Sequence, residues 1–98
     1  MKVSEITVEN LAFYLKLDHQ NLTNEEIAEL EIFLDSAKSF IVSYTGLNLE
    51  NLDDYNEFVI AIYVLCQDMY DTRSMYIDKS NLNKVVEAIL GFHHTNLL

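Results

Sequence analysis

Residues 23–46 read TNEEIAELEIFLDSAKSFIVSYTG, and the spacing of their apolar side chains sets the fold class. Ile27, Leu30, Leu34, Ala37, Ile41 and Tyr44 recur at three- and four-residue steps, with Phe33 and Phe40 widening the stripe. That period gives a helix of about twenty residues with one apolar side. Thr23 or Asn24 can cap its start, and Thr23 and Glu26 stand at the spacing of a capping box, each side chain taking the other residue's backbone N–H. Glu25 and Glu26 put negative charge beside the free N–H groups of the first turn. Gly46 follows Tyr44-Thr45, where a left-handed residue commonly ends a helix. Such a helix must bury its apolar side against other elements.

Outward from it, the flanking segments supply partners. On the N-terminal side, Thr7 caps a short helix through about Leu15 that buries Val8, Leu11, Ala12 and Leu15. On the C-terminal side, a third helix starts near Asp53 or Asp54, whose carboxylates can take the N–H groups of its first turn. It runs through Phe58 to Cys66, nine apolar residues in succession. Tyr55, Phe58, Ile62, Leu65 and Met69 keep helical spacing through that run, which decides against a strand despite its β-branched content. A helix apolar all round needs cover all round, so part of it is expected to face another subunit. Asp71 to Ser80 reads as a loop. A last helix spans about Asn81 to Leu90, with Leu82, Val85, Val86, Ile89 and Leu90 on its apolar side and Gly91 at its end. Phe92 to Leu98 is a tail whose Phe92, Leu97 and Leu98 point to docking. The reading is an all-α fold: one domain over residues 1–98, a small bundle of about four helices with a short C-terminal tail.

Composition agrees and excludes. Proline is absent and glycine occurs twice in 98 residues, which suits helices joined by short loops. Sixteen Asp and Glu against six Lys and Arg give a net charge of −10. That opposes a phosphate grip on nucleic acid and a basic anchor on anionic lipid. The charge is uneven. Residues 1–17 are neutral, residues 18–57 carry ten acids against Lys38 alone, and residues 58–98 are nearly balanced. The nine-residue apolar run is half the roughly 18 that a membrane-spanning helix needs. The first ten residues lack the apolar stretch of a signal peptide. The single cysteine, Cys66, allows no internal disulfide, so a reducing compartment is the simplest reading.

Catalytic chemistry finds no convergent groups in the sequence. Two glycines, both at helix ends, build no phosphate loop. A calcium loop laid from Asp18 fits Asp18 and Glu29 at its ends but puts Thr23 at the turn glycine and Leu22 at a ligand position. His93 and His94 give at most two metal ligands and read as surface histidines. Cys66 sits in an apolar run, where a thiol stays protonated and packs as a small hydrophobe. Glu25 and Glu29 share a helix face, but on its solvated side, whereas acid–base work needs one of a pair in a dry pocket. The tyrosines fall among apolar positions with no basic residues between them, unlike a stacking platform for nucleic acid. The expectation is a protein that is not an enzyme and holds no cofactor and no metal.

Read in order, the segments resemble a known family. A short helix entered by Ile6-Thr7-Val8-Glu9 leads into Leu15-Lys16-Leu17-Asp18. An acid-started helix then carries Leu34 to Gly46, with Ala37-Lys38, Ile41 and Tyr44-Thr45-Gly46. An apolar helix ends Met69-Tyr70-Asp71-Thr72-Arg73, and a loop and a short helix follow. Over nearly the whole chain this resembles the head–tail connector (adaptor) proteins of tailed bacteriophages. Two stretches depart from the family's pattern: Ser74 to Ser80 replaces a proline-containing loop, and Phe92-His93-His94 replaces a basic residue near the terminal leucines.

The resemblance implies a viral structural protein of the virion, made in the host bacterial cytoplasm and placed at the head–tail junction. Family members form a homo-oligomeric ring, typically a dodecamer, that docks on the portal protein and seats a downstream neck or tail protein. On that reading Ile60, Tyr63 and Val64 are subunit contacts, and Phe92, Leu97 and Leu98 meet the portal. Glu25, Glu29, Asp53 and Asp54 face the channel, where repeated negative charge lets DNA pass without specific binding. Two readings from other classes stand beside it: an acidic protein that imitates DNA and binds a basic host partner, and a helical regulatory module acting as a dimer.

Overall fold

The computed structural model describes residues 1–74, 77 and 79–93. Among them four α-helices carry the fold and no strand occurs: α1 (Val8–Tyr14), α2 (Asn24–Thr45), α3 (Glu57–Thr72) and α4 (Lys84–Gly91). Short 3-10 turns at Val3–Glu5, Leu49–Asp54 and Lys79–Asn81 complete it. The chain is a small all-α bundle, as its periodicity predicts.

Local sequence accounts for most helix ends. Thr23 Oγ1 accepts the Glu26 N–H at 3.1 Å while Glu26 Oε1 accepts the Thr23 N–H at 2.9 Å, the capping box read from the sequence. Thr7 and Asn10 make the same reciprocal pair at the start of α1. Gly46, at φ 78°, ends α2 and donates its N–H to the Val42 carbonyl. Helices α1 and α3 end without glycine. Lys16 (φ 63°) and Arg73 (φ 55°) take the left-handed position, and the following N–H groups of Leu17 and Ser74 close back on Ala12 and Met69.

Helix α3 lies between α2 and α4, and α1 packs on α2 and α3. Arg73 at the end of α3 reaches Glu29 near the start of α2, and Glu57 at the start of α3 meets His93 just beyond α4. Both neighbours therefore run opposite to α3. Phe33 and Ile41 of α2, Phe58, Ile62 and Leu65 of α3, and Val86 and Leu90 of α4 meet Leu11 and Leu52 in one core. Each such side chain contributes roughly 1.5–3 kcal/mol on burial, which offsets the entropy of ordering the chain. Thr45 is the buried polar residue among those described; its hydroxyl donates to the Ile41 carbonyl at 2.7 Å.

Several boundaries differ from the sequence reading. Helix α3 starts at Glu57, not Asp53 or Asp54, because Asp53 is occupied elsewhere: its carboxylate takes the Ser4 N–H at 2.8 Å and the Ser4 hydroxyl at 2.6 Å. It also runs through Asp71 to Thr72, where the loop was expected to have begun. Helix α4 starts at Lys84, capped by Asn83, and includes Gly91. His93, expected at the surface, is half-buried with its ring 4.3 Å from Tyr55 and 4.8 Å from Phe58. His94, Leu97 and Leu98 lie outside the described residues.

Candidate interaction surfaces

The all-round apolar sequence of α3 resolves into two faces. Phe58, Ala61, Ile62, Leu65, Cys66 and Met69 are buried. Opposite them, Ile60 is 53% exposed, and Tyr63 and Val64 are half-buried. The exposed face continues onto α1, where the Tyr14 ring stacks on Tyr63 with centroids 4.8 Å apart and planes 12° from parallel. The Tyr63 hydroxyl reaches the Met1 sulfur at 3.7 Å, and burial pushes its pKa up. Beyond Tyr14, Phe13 stands 71% exposed with the His19 ring edge-on at 5.5 Å. Met1, Phe13, Tyr14 and Ile60 thus form an apolar face that covers nothing in the chain itself. The share of α1 was legible in its period: Glu9, Phe13 and Lys16 fall opposite Leu11, Ala12 and Leu15.

A second apolar surface runs along α4. Val85 and Phe92 are exposed at helical spacing, and Ala88, Ile89 and Phe92 line, with Glu57, a cleft of about 280 Å³. Phe92 projects because its neighbour is pinned inward: His93 Nε2 lies 2.8 Å from Glu57 Oε2. Phe92 is 90% exposed. A larger cavity of about 560 Å³ lies between the end of α3 and the segment before α4, lined by Leu65, Asp68, Met69, Ile77 and Leu82 among others.

The four acids expected at a channel do not form one patch. Glu25 is exposed in the first turn of α2, and Glu29 one turn on pairs with Arg73 at 3.1 Å, beside the end of α3. Asp53 and Asp54 lie just before its start. The sixteen residues of α3 span about 24 Å, so the two acidic groups sit toward opposite ends of that helix. Ser4 holds the Asp53 carboxyl below the usual range, first through its hydroxyl and then through its N–H.

Chemical reactivity is low where it was sought. Burial pushes the Cys66 thiol up to about 12, far from a thiolate at neutral pH. Burial, then the neighbouring Asp71 carboxylate, raises Asp68. Among the described residues no three His, Cys, Asp or Glu side chains gather as a metal site, and no helix is long and apolar enough to cross a membrane. No family model, no curated protein and no solved structure matches this chain.

Proposed function

We propose that this chain is a ring-forming structural subunit of the neck of a tailed bacteriophage, joining the DNA-filled head to the tail. The observation that carries the reading is the exposed strip of α3. Ile60, with Tyr63 and Val64 beside it, is apolar surface on a protein of net charge −10, and lateral contact with neighbouring copies would bury it. The order of segments, similar to that of head–tail connectors, supplies the rest. In a ring, Phe92 beyond α4 meets the portal, and a tail-side protein binds the opposite rim. Glu25 and Glu29, or Asp53 and Asp54, line the passage, where their charge repels phosphate and leaves transiting DNA unbound. The chain would act in the virion after synthesis in the host cytoplasm, without cofactor or catalysis.

The test is assembly. The purified chain is mixed with portal protein from its own genome and examined by sedimentation and electron microscopy. Rings seated on the portal support the reading. A chain that ignores the portal and instead captures a basic host protein, with affinity falling steeply as salt rises, would be a DNA mimic.

A further inference from the structure

We infer that the free chain pairs with a second copy of itself through the outward stripe of α1, the two helices running antiparallel across Phe13. The claim concerns the unassembled protein and does not depend on the neck reading.

The stripe is self-complementary. Glu9, Phe13 and Lys16 are all exposed, with Glu9 one turn before Phe13 and Lys16 three residues after it. A two-fold axis through Phe13 sets Glu9 of each copy against Lys16 of the other, so one contact is made twice. Neither Glu9 nor Lys16 is in an ion pair among the described residues. His19, edge-on to Phe13, marks the same end of the stripe as Lys16. Antiparallel pairing also sets each helix's positive N-terminal end against the partner's negative C-terminal end. The apolar centre is Phe13 with Tyr14, which Tyr63 already holds in one orientation by stacking. Self-pairing elsewhere is disfavoured: the outward side of α2 carries Glu25, Glu26, Glu31 and Asp35, all exposed, and would meet like charge in a second copy.

The seven residues of α1 span only about 10 Å, so the interface is small and the dimer transient, with Kd between about 1 µM and 1 mM. Because Tyr14 lies against Tyr63, pairing covers the edge of the α3 strip. The dimer would then compete with contacts made through Ile60 and Val64.

Sedimentation equilibrium of the full chain to about 1 mM, at low salt, reads the association. Glu9→Lys alone, or Lys16→Glu alone, sets like charges opposite one another twice and should raise Kd about tenfold or more. The double variant Glu9→Lys/Lys16→Glu restores opposite charges and should return Kd to within about threefold of the starting value. Phe13→Ser, at an exposed position, should leave helical circular dichroism intact and abolish pairing. A chain monomeric throughout the range overturns the inference. So does a double variant no better than the singles, or an association lost with Ile60→Asp yet indifferent to both charge reversals. That last result would place self-association on α3, as the ring reading has it.

Discussion

Lys16, Gly46 and Arg73 hold the same left-handed position at the ends of three helices, and only one of them is glycine. An L side chain there costs about 1–2 kcal/mol, while a glycine returns part of that through the freedom it gives the unfolded chain. Lys16→Gly should therefore stabilise the domain by about 0.5–1 kcal/mol, and Gly46→Ala should destabilise it by about 1 kcal/mol. Arg73→Gly should gain less than Lys16→Gly, because Arg73 also pairs with Glu29 and lies 4.3 Å over the Tyr70 ring. Urea unfolding of dilute protein measures all three. Equal gains at Lys16 and Arg73 would mean that those contacts contribute nothing. Asp53 and Glu57 set the acid limb. Glu57 is lowered first by its own backbone N–H and then by His93, as Asp53 is by Ser4. The unfolded chain takes up these protons before the native one, so both contributions are present at neutral pH. They fade as pH falls below the ordinary carboxylate range and are gone below the folded-state values. Asp68, raised, runs the opposite way and becomes less unfavourable on acidification. Asp53→Asn should thus lower the urea midpoint at pH 7 yet make it fall less toward about pH 4. An unchanged acid slope would show that the Ser4 contact carries no linkage.

At the scale of elements, α3 separates core from surface within single turns. Ile62→Asp or Leu65→Asp would bury a carboxylate with no partner, a cost of several kcal/mol against the domain's whole stability of about 5–15 kcal/mol. Ile60→Asp, on the exposed face, should cost within about 1 kcal/mol and leave a folded chain, and half-buried Val64→Asp should fall between. Circular dichroism decides: if Ile60→Asp also unfolds the protein, the strip is core and cannot serve a partner. Gly91 closes α4 with open space where a Cβ would sit, so Gly91→Ala should add about 0.5–1 kcal/mol. These elements also show what a linear reading reaches. The Thr23–Glu26 box and the Gly46 stop were legible because each involves partners within four residues. The start of α3 was misplaced because Asp53 answers to Ser4, forty-nine residues away. His93 was misjudged for the same reason, its carboxylate being thirty-six residues back on Glu57. The faces of α3 could not be assigned from a run with no polar residue to mark the outside. Only the packing of α2 and α4 against it separates Ile60 from Ile62.

For the whole molecule, the charge of −10 becomes a question of sign under salt. The two ion pairs among the described residues are at least partly exposed, and such pairs contribute about 0–1 kcal/mol each. Against them stand ten acids between residues 18 and 57, with Lys38 as the sole cation in that stretch, held together by folding. Self-repulsion should therefore outweigh ionic attraction. Raising NaCl from about 10 to about 150 mM shortens the Debye length from about 30 to about 8 Å, which screens acids on neighbouring turns and elements. Tm should rise by about 4–8 °C for each kcal/mol of repulsion relieved. A falling Tm would mean that attraction dominates and that the acids are structural. The pairing of α1 responds with the opposite sign, since its Glu9–Lys16 contacts weaken under the same screening. Melting at micromolar chain and sedimentation near millimolar chain should then move in opposite directions as salt is added. That divergence separates charge that opposes folding from charge that brings two copies together.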